Sequence, residues 1–267
     1  MTTSITSITE GQKELYERFV RDASKHGTAL AIEKTGADQI GWQRVIENGD
    51  DLREAIAATI VAKTRELSFS NQFANEEVKS TYAYPNGYAP KPVEAQVEVL
   101  RKICPKLNIG GWVAQFERAV TPGAEAHFVI VRWQVLAPSY GEGLEKELFP
   151  ALHAQRNGAF YNYRNGELGP EQLRQHERTV RMLARLDADQ PGDVLVVPAQ
   201  LGLRHRGRSV RRAREVFVVN EFGLGAFHVG CILLTHPERE VQWEQLHMDC
   251  PGDEFSPKAD GRFSCAP

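Results

Sequence analysis

Residues 82–92 read YAYPNGYAPKP, and this stretch limits the fold more than any other. Two closely spaced tyrosines, a Pro-Asn-Gly turn and two further prolines cannot continue a helix, because proline lacks the amide donor and clashes with the preceding turn. The chain must break here. The hydrophobic period differs on the two sides, so the break separates two kinds of structure.

Before it, every signal is helical. Residues 1–9 form a polar leader. Leu15, Phe19 and Ala23 then share a helix face, and Gly27 is placed to end that helix. Ile40, Val45 and Ile46 form a second apolar set that stops near Gly49. DDLREAIAATIVAKTREL is the clearest helix in the chain, with Asp50 or Asp51 as its cap and Lys63 and Arg65 near its end.

After the break, Pro92 suits the first turn of a helix PVEAQVEVLRKIC. WVAQFERAV and AHFVIVRWQV then read as strands, and the turn signal TPGAE between them predicts a hairpin. A helix follows Gly143, and AFYNYRNG reads as a short aromatic strand. GPEQLRQHERTVRMLARLDAD reads as an amphipathic helix with Leu173, Val180, Leu183 and Leu186 inward. DVLVVPAQ is a short buried strand closed by Pro198. AFHVGCILLTH reads as a buried helix or a strand, its length favouring helix, and the tail from Leu246 opens as a strand. The fold class expected is α+β: a helical portion over 1–80, a loop over 81–92, and a mixed α/β body over 93–267 with a small sheet.

The 267 residues carry a net charge of −3, with 42% hydrophobic and 25% charged residues. Overall charge therefore drives no non-specific binding to nucleic acid, and any anion site must come from local clustering. The longest apolar runs are too short for a membrane span of about 20 residues. The four cysteines form no C-x-x-C pair, and the N-terminus lacks a basic-then-apolar signal pattern, so a cytoplasmic, reducing setting is expected.

Local clustering appears at GLRHRGRSVRRARE, residues 202–215. Six arginines fall between Arg204 and Arg214. The order strand, glycine-containing loop, helix start places free backbone amides and a positive dipole end beside guanidinium groups, which suits phosphate. Ser209 is placed to cap a helix beginning at Val210. On it Val210, Ala213 and Phe217 face inward, while Arg208, Arg211, Arg212 and Glu215 face out. Arg204, Arg206, Arg208, Ser209, Arg211 and Arg212 are thus the candidate ligand-binding residues. The alternative is a solvated helix face, with Arg211 paired to Glu215 and other arginines matched by acids such as Asp253, Glu254 and Asp260. Tyr161, Tyr163, Tyr82, Tyr84 and Tyr88 are candidate stacking partners for RNA bases.

Other chemistries find less support. His228, Cys231, His236, His247, Asp249, Cys250 and Asp253 are close in sequence but fit no zinc spacing, so no metal site is assigned. Ser139 is outside any G-x-S-x-G context. Cys250 is the best thiol nucleophile, yet on a strand His247 points the opposite way. GLGAFHVG, residues 223–230, opens like a dinucleotide fingerprint but has His228 in place of the third glycine and follows a helix. No cofactor is implied.

The run VLVVPAQLGLRHRGRSVRRAREVFVVNEFGLGAFHVGCILLTHPER, together with DCPGDEFSPKADGRFS, SNQFANEEV and FYNYRNGELGP, resembles a family of hypothetical proteins from uncultured candidate-phylum bacteria. The resemblance covers most of the chain from about Phe69. It implies no activity, ligand or catalytic residue. It does imply further strand-like sequence beyond the counterpart of FSCAP, so this chain is expected to end early.

Three functions remain open. The first is a binding protein whose 204–212 segment holds RNA or DNA. The second is an enzyme for a phosphate-bearing small molecule. In it Arg204, Arg206 and Arg208 clamp the phosphate, His205 moves a proton, and Asp249 or Asp253 holds a metal or orients the histidine. The third is a structural or interaction protein whose arginines are paired internally. The sequence sets no oligomeric state.

Overall fold

The computed structural model describes residues 8–68, 71–117, 120–239 and 243–265. The chain divides into two units, Met1–Asn71 and Gln72–Pro267.

The first unit holds helices α1 (Glu10–Lys34), α2 (Gln39–Glu47) and α3 (Gly49–Leu67). Thr9 starts α1 with a capping box. Its hydroxyl accepts from the Gln12 amide at 3.2 Å, and Gln12 Oε1 accepts from the Thr9 amide at 2.9 Å. The helix does not stop at Gly27 but runs seven residues further. A glycine inside a helix costs only about 1 kcal/mol, which the continuing turn carries. Asp38 caps α2. Asp50 and Asp51 lie inside the first turn of α3 rather than at its cap, where they complement the dipole. The Tyr16 and Thr64 hydroxyls meet at 2.5 Å and tie α1 to α3. No residue of α1 or α2 is buried.

The second unit is α+β and centres on a two-stranded antiparallel ribbon. Strand β1 (Ala126–Val131) pairs with β3 (Val194–Ala199), from Ala126 opposite Ala199 to Val131 opposite Val194. All six residues of β1 are buried. A two-stranded ribbon in a core has two unpaired edges, and unpaired buried amides are costly. Glutamine side chains close both edges. On β1, Gln96 Nε2 donates to the His127 carbonyl at 2.9 Å and Gln96 Oε1 accepts from the Val129 amide at 2.9 Å. On β3, Gln190 Oε1 accepts from the Val196 amide at 2.7 Å and its Nε2 donates back to the Val196 carbonyl at 3.0 Å.

The hairpin expected from WVAQFERAV therefore does not form. Residues Gly111–Glu117 make a 3₁₀ helix instead. The β1 edge such a strand would need is already filled by Gln96, which comes from α4 (Val93–Ile103).

A second sheet joins β2 (Leu173–Gln175), β4 (Asp253–Phe255) and β5 (Ser264–Cys265) in the order β2-β4-β5. Leu173 is thus a strand residue, and the helix that follows is shorter than expected: α7 spans Glu177–Asp189, capped by His176. Its inward face is Thr179, Leu183 and Leu186, which leaves Val180 48% exposed rather than buried. Residues 159–162 are irregular and 163–166 form a turn, so no strand forms here. Asn162 Oδ1 accepts from the Arg164 amide and bends the chain there. Phe160 packs on Phe149, while Tyr161 and Tyr163 face solvent.

Helical residues run head to tail from α5 (Tyr140–Glu142) through a π turn (Gly143–Leu148) to α6 (Phe149–Gln155). They and α4 surround the segment that could have been helix or strand. It is helix α9 (Ala226–Thr235), apolar on every side and almost wholly buried against β1. The tail from Leu246 does not begin as a strand; pairing starts only at Asp253. Among the described residues no helix is long and apolar enough to cross a membrane.

Candidate functional site

The site grows from the segment after β3. Gly202 turns the chain at φ +111°, Leu203–His205 make a 3₁₀ turn, and Gly207 turns it again at φ +79°. Gly207 is required twice over. Besides its backbone angle, an added Cβ would lie 2.1 Å from the Val78 carbonyl oxygen. Ser209 then caps α8 (Val210–Glu215), its hydroxyl accepting from the Arg212 amide at 3.1 Å. This cap, and the loop-to-helix break it marks, agree with the sequence reading.

Residues 74–80 lie across the loop as a strap. Val78 donates to the Gly207 carbonyl at 2.7 Å, Ser209 donates to the Glu76 carbonyl at 3.3 Å, and Glu77 bridges Arg208 in antiparallel fashion. The strap brings two carboxylates to the arginines. Glu76 binds Arg211 and accepts from the Ser209 hydroxyl at 2.5 Å. Glu77 binds Arg212 and lies 3.4 Å from Arg208. Hydrogen bonds from Ser209 and Arg212 respectively hold both carboxyls below the usual carboxylate range.

Arg212, expected on the outer face, is buried because Glu77 sits over it. Arg211 pairs with Glu76 in place of Glu215. Arg214 reaches the carbonyls of Pro251 and Asp253 at 2.8 and 2.6 Å, with Glu254 at 3.8 Å. Arg204 pairs with Glu221 at 2.9 Å. Arg206 differs: its Nη1 donates to the Tyr82 carbonyl at 2.9 Å, and among the described residues no carboxylate pairs with it.

His205 is held on both ring nitrogens. Nε2 faces Glu221 at 2.8 Å, and Nδ1 faces Arg208 Nη1 at 3.2 Å. A guanidinium only donates, so Nδ1 accepts and the proton sits on Nε2, toward Glu221. The ring also packs edge-on against Phe217. Burial alone would raise the Glu221 carboxyl, but the hydrogen bonds from His205 and the Val218 amide, with the charge of Arg204, bring it below its ordinary value. The orienting acid of His205 is therefore Glu221, not Asp249 or Asp253.

A cavity of about 530 Å³ opens beside this loop. Arg204, His205, Arg206 and Arg208 line it, as do His247, Met248, Asp249 and Pro251 from the later turn and Val78, Ser80 and Tyr82 from the strap side. The arginine loop and the DCPGDE segment thus share one concave surface. Arg211 and Arg212 do not line it.

Asp249 is open to solvent through the cavity, and among the described residues its carboxylate has no hydrogen-bond or ion-pair partner. The atoms packed around it raise its pKa, an effect that His247 opposes. Asp253 lies elsewhere, at the N-terminus of α9. It accepts from the Ala226 amide at 2.7 Å and from the Tyr140 hydroxyl at 2.9 Å. Burial lifts its carboxyl to about 6 against those hydrogen bonds. This carboxylate occupies the helix end that a dinucleotide phosphate would need, which accounts physically for the failed glycine fingerprint. Gly223, Gly225 and Gly252 serve close packing there: a Cβ on Gly252 would lie 2.4 Å from the Gly225 nitrogen.

Cys250 is half-buried, and the atoms packed around its thiol, then Asp253, push that thiol far up, away from thiolate chemistry. His236 is a satisfied core residue: Nε2 accepts from the Lys91 amide at 2.9 Å. No group of three metal-ligating side chains is found among the described residues.

Sequence reasoning passed over Arg239, which shapes the cavity floor. It is fully buried, and its Nη2 donates to the carbonyls of Leu201 and Leu246 at 3.0 and 2.8 Å, joining the two cavity segments. Its guanidinium lies 4.7 Å from the Tyr84 ring centre and 5.7 Å from that of Tyr88. Tyr84 in turn donates to Glu125 at 2.5 Å. Tyr84 and Tyr88 of the 82–92 loop thus pack on an arginine of this chain, while Tyr82 is exposed. Glu76, Glu77 and Glu221 carried no local signal either.

No protein-family model, curated protein or solved structure matches the chain.

Proposed function

We propose that the second unit binds a phosphate-bearing small molecule in the cavity at the 204–209 loop. The observation that carries this reading is the shared wall: one cavity is lined both by the arginine loop and by the Asp249 turn. Arg206 supplies free guanidinium donors at its mouth, and Arg204 adds a second positive charge that is 41% exposed. Of the three guanidiniums on this cavity, Arg204 is matched by Glu221 and Arg208 by Glu77, so Arg206 carries the charge that an anion would meet. Proton transfer within the cavity falls to Asp249 and His247, since both nitrogens of His205 are engaged.

The nucleic-acid reading asks for a continuous positive surface of free arginines. Five of the six arginines at 204–214 have a carboxylate within ion-pair distance, which favours the small ligand. The two readings separate in one titration series. Binding of inorganic phosphate and phosphate monoesters, followed by calorimetry, should weaken about 10–100-fold in Arg206→Ala, the worth of a charge-assisted hydrogen bond. It should be unchanged in Arg211→Ala. Unchanged binding in Arg206→Ala refutes the proposal. Tight oligonucleotide binding lost equally in both variants, with a steep salt dependence, supports the polyanion instead.

A further inference from the structure

The cavity is far larger than its anion subsite. At about 530 Å³ it falls within the roughly 300–1,000 Å³ that encloses organic ligands, and a bare phosphate would leave most of it empty. Away from the arginines the wall is apolar and aromatic: Leu201, Leu246, Met248, Phe217, Phe222 and Leu224. Leu201 and Leu246 are buried at its floor, held together by Arg239. A ligand whose whole organic part is polyhydroxylated would strand most of its hydrogen bonds against such a wall.

The Asp249 carboxylate lines this region without a hydrogen-bond or ion-pair partner among the described residues. An ionised carboxylate can only accept hydrogen bonds, so Asp249 calls for a donor. A cation is the poorer occupant. Divalent ions take six or more oxygen ligands, and no set of three candidate ligands is grouped among the described residues. A negative group beside an anion site would also repel the phosphate unless something on the ligand compensates it.

Building on the phosphate reading above, we infer that the ligand is a phosphate ester whose organic part is flat or apolar and carries an N–H donor for Asp249, the chemistry of a nucleoside monophosphate. The phosphate sits at Arg206 and Arg204, the base lies on the apolar wall, and its amino or imino hydrogen meets the Asp249 carboxylate.

The test titrates AMP, GMP, ribose 5-phosphate, butyl phosphate and inorganic phosphate into the full-length protein and into Arg206→Ala, Asp249→Ala and Asp249→Asn. At least one nucleotide should bind ten-fold or more tighter than ribose 5-phosphate and butyl phosphate. Asp249→Ala should remove that advantage, and Asp249→Asn, which keeps an acceptor, should restore part of it. Butyl phosphate should bind Asp249→Ala as well as or better than the native protein, because a repelling charge is gone. Tightening of the nucleotide as well would show that Asp249 only repels, and would overturn the inference. So would equal binding of nucleotides and butyl phosphate. Failure of the phosphate reading looks different: there, Arg206→Ala has no effect on any probe.

Discussion

Replacing Gln96 by leucine tests whether side chains stand in for missing strands. The glutamine is fully buried and makes three hydrogen bonds, to the Lys91 carbonyl, the His127 carbonyl and the Val129 amide. Leucine has nearly the same shape but no polar atoms. Lys91 is half-exposed, so water can replace its bond. His127 and Val129 are buried, and each orphaned backbone group costs about 1–3 kcal/mol. The more apolar side chain offsets about 1 kcal/mol of that. A net loss of about 3 kcal/mol is expected, which for a unit of this size lowers Tm by roughly 6–12 °C. Urea unfolding measures it: the midpoint should fall with the slope unchanged, and the Val129 amide should lose hydrogen-exchange protection first. Gln96→Glu supplies a second arm. At neutral pH the carboxylate can accept from Val129 but not donate to His127, so it should be at least as damaging. Its folded pKa would be raised, so stability should return as pH falls and the acid becomes a donor. A Gln96→Leu protein within about 0.5 kcal/mol of the native one would refute the edge-closure argument.

The remaining predictions concern α9 and its glycines. His228 is buried and neutral, its pKa lowered to about 4 by burial, so its contribution to stability is lost as pH falls from about 6.5 to 4. Asp253 behaves oppositely: with a folded value of about 6 it gains stability as pH falls through that value toward 3.8. The two nearly cancel in the native protein, each amounting to about 3 kcal/mol. Asp253→Asn should therefore expose the histidine, its stability falling about 3 kcal/mol further than the native protein's between pH 6.5 and 4 in denaturant titrations; parallel pH curves would exclude this. Gly252→Ala should cost more than about 3 kcal/mol, because the new Cβ meets rigid backbone at 2.4 Å. Gly230→Ala meets the flexible tip of Leu148 at the same distance and should cost only about 1–2 kcal/mol; equal losses would contradict the distinction.

What was legible in the sequence was local. The Ser209 cap acts over three residues and marked the true start of α8. Asp38 and Thr9 bound helices whose apolar period was already visible. The α+β class followed from the change of period after 82–92. What was not legible was long-range. Gln96 and Gln190 are polar residues in or beside amphipathic helices, and in sequence they look like surface. Nothing near them announces that each completes a strand edge, and for that reason WVAQFERAV looks in sequence like the missing partner. Leu173 fits the apolar pattern of α7 because three strand residues and a helix turn share such a pattern when short.

The arginine segment shows the same division inside one site. Periodicity separated a loop half, Arg204 to Arg208, from a helix half, Arg211 to Arg214, and the cavity respects that division, since only the loop half lines it. Periodicity could not say which charges were already met. Those partners come from Glu76 and Glu77, more than 130 residues earlier, and from Glu221 across a turn. An exposed arginine matched by a carboxylate gains little stability from the pair but loses much of its field toward an incoming anion. Arg211 and Arg212 are therefore spent on fastening the strap, and His205 on fixing the loop. Arg206 escapes because its partner is the neutral Tyr82 carbonyl, which leaves its positive charge intact at the cavity mouth. A cluster of six arginines thus presents much less free charge than its sequence suggests, and it presents that charge at one place, on the same cavity as the unpartnered carboxylate of Asp249.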